Sequence, residues 1–207
     1  MKNLELALLL LFHPVDAFLR IKQEREERGY LPGIILLALV MVIRVLQIHL
    51  THFPLATLDP SDANLGSEMF KMVVPLVSWM IACFGVTTIM EGKMTFRETF
   101  TASSYSMLPF IVLVIPFTLL SRILSGGDAV FLNTLYSLMW SWIGILIFMN
   151  VQVLNEYGFW KTVFIVGLSF FGILLIWVSV GIAITLTNQF YQFIKDVVVE
   201  IVIRLSE

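Results

Sequence analysis

Apolar residues form five long, nearly continuous runs that together occupy most of the 207-residue chain. A helix with a rise of ~1.5 Å per residue needs ~20 residues to cross a hydrocarbon core about 30 Å thick, and every run reaches this length. The pattern therefore predicts an all-α membrane protein built as a bundle of five transmembrane helices. The predicted spans are Leu31–Leu50, Phe70–Met90, Ser103–Leu124, Leu132–Leu154 and Thr162–Leu186.

The overall composition agrees with a membrane protein. Hydrophobic residues make up 58% of the chain and charged residues 14%, whereas a soluble domain carries about 25% charged residues. The net charge of −2 gives no reason to expect nucleic acid as a partner. The single cysteine, Cys83, lies inside the second run, so the chain cannot form an internal disulfide.

Basic residues are distributed unevenly between the two sides of the predicted bundle. With the N-terminus in the cytoplasm, eight lysines and arginines fall on the cytoplasmic side and four on the outer side. The positive-inside rule then predicts a multi-pass protein of the cell (plasma) membrane, with its N-terminus inside and its C-terminus outside. The inner residues are Lys2, Arg20, Lys22, Arg25, Arg28, Lys93, Arg97 and Lys161, and the outer ones are Lys71, Arg122, Lys195 and Arg204.

The N-terminal arm, residues 1–30, is amphipathic. Its first twelve residues resemble a signal peptide, but an acidic residue interrupts them and no cleavage site follows, so we expect the arm to be retained. Pro14 can occupy the first turn of a helix, and Asp16 lies near the positive end of that helix. We predict an amphipathic helix on the cytoplasmic leaflet, with a docking surface for a soluble partner as the alternative. One face at helical spacing consists of Val15, Phe18, Leu19 and Lys22, and charged residues cover the rest.

The C-terminal segment, residues 188–207, also has amphipathic character. Apolar residues recur at helical spacing between Phe190 and Leu205, and charged residues occupy the other side. The segment is too short and too charged for a sixth span. We expect an amphipathic helix that lies along the outer surface or packs on the bundle, with an edge strand, which the β-branched residues also admit, as the less favoured alternative.

The inner loop between spans two and three contains a local helix signal. Thr95 and Glu98 have the spacing of a capping box, which predicts a helix over Phe96–Tyr105. Gly92 is expected to end the preceding helix, because glycine tolerates a positive φ. In the third run, prolines predict kinks.

Arg44 is the only full charge well inside a predicted span. We favour an arginine whose side chain extends to the lipid headgroups, as basic side chains near a helix end can do. The alternative is a polar cluster that binds an anionic ligand, formed with Asn150, Gln152 or a carboxylate of the outer loop. Asn150 and Gln152 fall near the inner end of span four, which makes them poor partners for Arg44.

No motif for catalysis or cofactor binding is found in the sequence, and we expect no enzyme, no catalytic residue and no cofactor. His49 and His52, with acidic residues nearby, suggest a metal site. However, Pro54 ends the helix at that point, and zinc needs four ligands in a defined geometry. We therefore expect no metal; the nearby acidic residues are Asp59, Asp62 and Glu68.

Two short motifs resemble the Yip1-domain family of small five-span membrane proteins. One is the segment from His13 to Phe18, with the letters HPVDAF, before span one. The other lies around the inner loop and consists of Gly92, Phe96, Tyr105 and Pro109, with Ser104 where the family commonly has glycine. The resemblance implies a five-span bundle with its N-terminus inside.

The resemblance also bears on partners. Eukaryotic members of the family act in vesicle trafficking and contact small GTPases through a cytosolic N-terminal region. The arm of this chain is short and lacks their acidic-aromatic segment, so a small GTPase is not the expected partner. The chain is more similar to compact bacterial members, which are discussed as accessory partners of transport systems.

These observations lead to one functional hypothesis and one alternative. We expect a non-enzymatic membrane scaffold or accessory protein in the lipid bilayer, which docks a membrane-protein partner or a second copy through the cytoplasmic face of residues 13–30 and 91–105. The alternative is a transporter-like or lipid-handling bundle, suggested by the kinked third span and by Arg44. The interaction candidates are His13, Pro14, Asp16, Phe18, Gly92, Phe96, Arg97, Tyr105 and Pro109.

Overall fold

The computed structural model describes residues 2–24, 29–51, 64–124 and 126–206, and all regular structure within these ranges is helical. The predicted all-α membrane bundle is confirmed. The helices of the described ranges are α1 (Lys2–Phe12), α2 (Pro14–Gln23), α3 (Leu31–Leu50), α4 (Leu65–Ile89), α5 (Phe96–Tyr105), α6 (Leu108–Leu120), α7 (Ala129–Asn155) and α8 (Phe159–Ser206), with a 3₁₀ turn at Gly126–Asp128.

Five helical segments are long and apolar enough to cross a membrane, and the protein is a multi-pass membrane protein. The first has the predicted bounds, while the second, fourth and fifth are longer than predicted. The extensions contain both polar and apolar residues, because a helix continues past the apolar run until a cap ends it. The segments are Leu31–Leu50, Gly66–Ile89, Phe96–Leu120, Ala129–Asn155 and Phe159–Val198.

The third span consists of two helices, α5 and α6. The capping box is confirmed: the hydroxyl of Thr95 accepts the backbone N–H of Glu98, and the Glu98 carboxylate accepts the N–H of Thr95 at 2.7 Å. α5 then runs over Phe96–Tyr105, as predicted. The helix is interrupted just before Pro109, which occupies the first turn of α6, and α6 continues through Pro116.

The N-terminal arm packs against the bundle. α1 contacts α2 and α6, and α2 contacts α5 and α7. Phe18 and Ile21 point inward and are buried, whereas Val15 and Leu19 are exposed. The predicted face is therefore divided: Phe18 belongs to the protein core, Val15 and Leu19 remain exposed, and Lys22 is half-buried. Arg25 and Arg28 lie outside the described residues.

The C-terminal segment is helical, but it continues α8 without a break and does not form a separate element. α8 contains 48 residues, so at ~1.5 Å per residue it is roughly 72 Å long, more than twice the thickness of the hydrocarbon core. α8 packs on α4 and α7. From Trp177 to Val198 its side chains are exposed.

α5 lies at the centre of the fold, between α2, α3, α4 and α7. Nearly all of its side chains from Glu98 to Tyr105 are buried. The close approach of α3 depends on Gly33, because a Cβ at this position would lie 2.6 Å from the ring of Phe100. The absence of a side chain at Gly33 thereby lets α3 pack closely on α5.

Candidate functional site

Three segments that are distant in sequence meet at one end of the bundle: residues 13–24, 91–97 and 156–161, here called the loop face. Glu156 connects them. One of its carboxylate oxygens accepts a hydrogen bond from Lys22 at 2.6 Å, and the other accepts one from Lys93. These two bonds, that of Lys22 first, lower the pKa of Glu156 to about 2 from an ordinary value of 4.5. Glu156 is therefore ionised at any physiological pH.

The backbone at the end of α7 aims Glu156 toward the two lysines. Glu156 has a φ of 57°, and the N–H of Tyr157 bonds back to the carbonyl of Gln152 at 3.0 Å. This left-handed ending satisfies carbonyls that would otherwise lack a partner, although glycine is the usual residue at such a position. A glutamate stands here instead of glycine, and its carboxylate forms two ion pairs that glycine could not form.

Gly92 has a different role from the predicted one. The residue with positive φ at the end of α4 is Glu91, at 57°, so the predicted positive φ at Gly92 is wrong. Glycine is required at position 92 because there is no space for a side chain. A Cβ there would lie 2.5 Å from Oδ1 of Asn155 and 2.7 Å from the hydroxyl of Tyr157. The missing side chain of Gly92 allows the loop after α4 to pack closely against the end of α7.

Polar contacts join the α4 end to the α7–α8 connection. The side-chain oxygen of Asn155 accepts the backbone N–H of Met94 at 3.1 Å, and the hydroxyl of Tyr157 donates to the carbonyl of Met90 at 3.3 Å. Lys161 lies 4.2 Å from the centre of the Tyr157 ring. Burial raises the pKa of the Tyr157 hydroxyl, so it remains a neutral donor.

The predicted interaction candidates separate into two groups. His13, Asp16 and Phe96 are exposed. Arg97 is half-buried, with its guanidinium 5.5 Å above the ring of Tyr30. Pro14, in the first turn of α2, and Gly92 are also half-buried.

The other candidates are core residues. Phe18, Tyr105 and Pro109 are buried, and Tyr105 is only 2% exposed. A partner at the surface cannot contact these side chains in this conformation. The structure gives them a packing role at the centre of the bundle.

Arg44 lies toward the opposite end of the bundle and has protein partners. Its guanidinium donates to Glu68 at 2.7 Å and to Gln47 at 2.8 Å, and Lys71 donates to the other oxygen of Glu68 at 2.7 Å. The favoured interpretation, an arginine extended to headgroups, does not describe this geometry. The carboxylate partner of the alternative is present, although Glu68 lies in the first turn of α4 and not in a loop.

Asn150, as expected, is not a partner of Arg44, and donates instead to the hydroxyl of Ser103 at 3.3 Å. Within the described ranges, no group of three or more metal-ligating side chains occurs. His49 contacts the carbonyl of Val45. His52, Asp59 and Asp62 lie outside the described residues.

A cleft adjoins the Arg44 cluster: α3, α4, α6 and α7 line its charged part, and mainly α4, α7 and α8 line its apolar part. Its charged part has a volume of about 330 Å³ and its apolar part about 600 Å³. Lys71, Met72 and Trp140 line both parts, so the two parts adjoin at these residues. Trp79 lines the apolar part, and its indole N–H is buried without a hydrogen-bond acceptor among the described residues.

Sequence reasoning missed Glu156, Tyr157 and Trp79. The polar break between spans four and five, which ends in Gly158, signals a helix end. It does not reveal that a glutamate adopts the left-handed conformation and binds lysines from two other segments. Trp79 is one of many apolar residues in its span, and no sequence signal distinguishes it.

Comparisons with known proteins place this architecture in a family. A family model described as the Yip1 domain matches residues 8–186, which cover most of the chain. The comparison with curated proteins and the comparison with solved structures found no significant match. The match includes the five spans up to the middle of α8, the loop face and the Arg44 cluster. The chain therefore belongs to the Yip1-domain family.

Proposed function

We propose that this Yip1-domain protein is a non-enzymatic membrane accessory protein that docks a partner through its loop face. The observation that carries the proposal is the double ion pair of Glu156 with Lys22 and Lys93. This contact joins three segments, contributed by α2, the α4–α5 loop and the α7–α8 connection, into one surface.

A surface that is already ordered binds a partner at a lower entropic cost than flexible loops do. The loop face has few residues to order, because hydrogen bonds hold both of its loops to the helix ends. It exposes charges of both signs, among them Asp16 and Lys93, and aromatic side chains, among them Phe96 and Trp160. Aromatic anchors within a charged rim are typical of protein interfaces.

The docking surface that we propose is smaller than the sequence suggested. His13, Asp16, Phe96 and Arg97 remain candidates because they reach the surface. Phe18, Tyr105 and Pro109 do not. The partner is a membrane protein, a peripheral protein or a second copy of this chain.

We further propose that the loop face is cytoplasmic and that the protein resides in the plasma membrane. Basic residues favour this orientation: Arg20, Lys22, Lys93, Arg97 and Lys161 lie on or beside the loop face. Lys and Arg in short loops are enriched on the cytoplasmic side of membrane proteins.

A site-specific photocrosslinker tests the docking proposal in the intact membrane. Placed at Asp16 or Phe96, the probe is expected to form adducts with one and the same protein. Placed at Arg122, an exposed residue toward the opposite end, it serves as the control. Glu156→Gln should weaken the adducts from Asp16, because the ion pairs that join α2 to the α4–α5 loop are lost. Adducts with lipid alone, or the same proteins from all three positions, would contradict docking.

Lipid handling is a second candidate function, and one observation favours it: the apolar cavity of about 600 Å³ beside the charged cluster of Arg44. Movement of fluorescent lipid between the leaflets of vesicles that contain only this protein would support it. Docking at the loop face does not require such movement.

A further inference from the structure

We propose that the cleft between α4, α7 and α8 binds one phospholipid with an anionic headgroup, taken from the adjacent bilayer leaflet. The headgroup contacts Arg44 and Lys71, and an acyl chain occupies the apolar part. The inference deepens the lipid-handling candidate, but it concerns binding alone and needs neither lipid transport nor a partner at the loop face.

The depth of the cleft matches one leaflet. Along α4, the lining residues run from Glu68 and Lys71 through Pro75 to Trp79. Eight residues separate Lys71 from Trp79, which is roughly 12 Å along the helix. Half of a hydrocarbon core about 30 Å thick is ~15 Å. The charged part therefore lies at headgroup depth and the apolar part at the depth of the tails.

The charged part is positive on balance. Arg44, Glu68 and Lys71 are its charged lining residues, two cations and one anion. Both oxygens of the buried Glu68 carboxylate are occupied by the two cations, so the carboxylate orients them. The Lys71 side chain is 66% exposed and lines both parts of the cleft. It can donate its remaining N–H groups to a phosphate, which cations bind through strong charge-assisted hydrogen bonds.

The apolar part suits an acyl chain. Its volume of about 600 Å³ falls in the range of roughly 300–1,000 Å³ that is usual for ligand sites. The lining side chains are mainly aliphatic and aromatic, and include Leu76, Phe148, Phe170 and Ile173.

Native mass spectrometry of the full-length protein, delipidated in mild detergent, tests the proposal. Phosphatidylglycerol and phosphatidylcholine with the same acyl chains are added in equal amounts. We expect one bound lipid per chain, with phosphatidylglycerol preferred. Lys71→Gln should reduce this preference about fivefold, the effect of one basic residue near an anionic headgroup. Lys161→Gln, which removes the same charge on the loop face, should leave the preference unchanged.

A second pair of variants tests the apolar part. Gly144 lines the cavity and has free space where a Cβ would lie, so Gly144→Leu fills the cavity without a backbone clash. Gly144→Leu should abolish the adduct with either lipid. Gly181→Leu is the matched control, since Gly181 also has free space but lies on α8 away from the cleft lining.

Three results would overturn the proposal. Equal binding of the two phospholipids would indicate unselective surface lipid. An equal effect of Lys71→Gln and Lys161→Gln would exclude a role for the cluster. Oleic acid that binds at the cleft in place of phosphatidylglycerol would make a free fatty acid the ligand. Docking at the loop face is measured by crosslinking in membranes, so its failure is distinguishable from each of these results.

Discussion

Asn155 accepts the backbone N–H of Met94 with its side-chain oxygen at 3.1 Å, across 61 residues of sequence. The amide nitrogen of the same side chain donates to the carbonyl of Val151 at 3.0 Å. Both ends of this buried amide are thus used, and the contact fixes the loop before α5 to the end of α7. Asn155 therefore holds together the surface that we propose as a docking site.

Asn155→Ala should destabilise the protein by about 1–3 kcal/mol, because the buried N–H of Met94 loses its acceptor. Asn133→Ala is the matched control, an exposed asparagine in the same helix. The thermal unfolding midpoint in detergent measures both variants. Equal midpoints for the two variants would show that the Met94 contact contributes nothing.

Gly92→Ala should also destabilise the protein, by about 1–3 kcal/mol. The added Cβ would lie within 2.8 Å of a backbone oxygen of Thr87 and closer still to Asn155 and Tyr157. Gly158→Ala, in the neighbouring loop, has nothing within 4 Å of the new Cβ and should be tolerated. The thermal unfolding midpoints of the two variants in detergent measure the difference. A Gly92→Ala protein as stable as Gly158→Ala would refute the close approach of Gly92 to Asn155 and Tyr157.

Two glutamates in the left-handed conformation should respond differently to glycine. Glu91→Gly removes an unfavourable backbone conformation and should stabilise the protein by up to about 1 kcal/mol. Glu156→Gly removes the same strain but also loses the ion pairs with Lys22 and Lys93. Its gain in the free energy of unfolding should therefore be smaller than that of Glu91→Gly, or reversed. A larger gain for Glu156→Gly would show that the ion pairs do not stabilise the fold.

The sequence correctly predicted those helix starts and helix bounds that depend only on residues close together in the chain. The capping box of Thr95 and Glu98 needs only a spacing of three, and the start of α5 follows from it. The bounds of Leu31–Leu50 follow from an apolar run with polar ends. In such cases the local chemistry alone determines the helix.

Features that depend on tertiary contacts were missed or misread. Gly92 indicates a helix end in the sequence, but only the packing shows that Asn155 and Tyr157 require its missing side chain. Arg44 looks isolated in its span because Glu68, its partner, is 24 residues away on another helix. Burial of Tyr105 follows from the central place of α5, which no local pattern reveals.

Acid should weaken the loop face through Glu156. The folded-state pKa of about 2 lies below the ordinary 4.5, so the ionised carboxylate contributes stability above pH 4.5, and this contribution is lost as the pH falls through 2. The difference in unfolding midpoint between the wild type and Glu156→Gln should therefore be constant above about pH 5 and shrink in more acidic solution. Glu91→Gln removes a carboxylate from the equivalent position of α4 and serves as the control. A wild-type advantage that is unchanged at pH 3 would contradict the ion pairs.

Arg44 and Glu68 should be energetically coupled. Glu68→Gln leaves the guanidinium of Arg44 without its carboxylate, and Arg44→Gln leaves Glu68 with Lys71 as its remaining cation. Each single variant should cost about 1–3 kcal/mol. The double variant removes both charges of the pair, so it should be more stable than the sum of the two losses predicts, with a coupling of about 0.5–3 kcal/mol. Arg122→Gln, an exposed arginine toward the same end of the bundle, combined with Glu68→Gln should give additive losses. Unfolding in detergent measures all of these variants. Additive losses for Arg44 and Glu68 would mean that the 2.7 Å contact does not stabilise the bundle, and the orienting role of Glu68 in the cleft would fail with it.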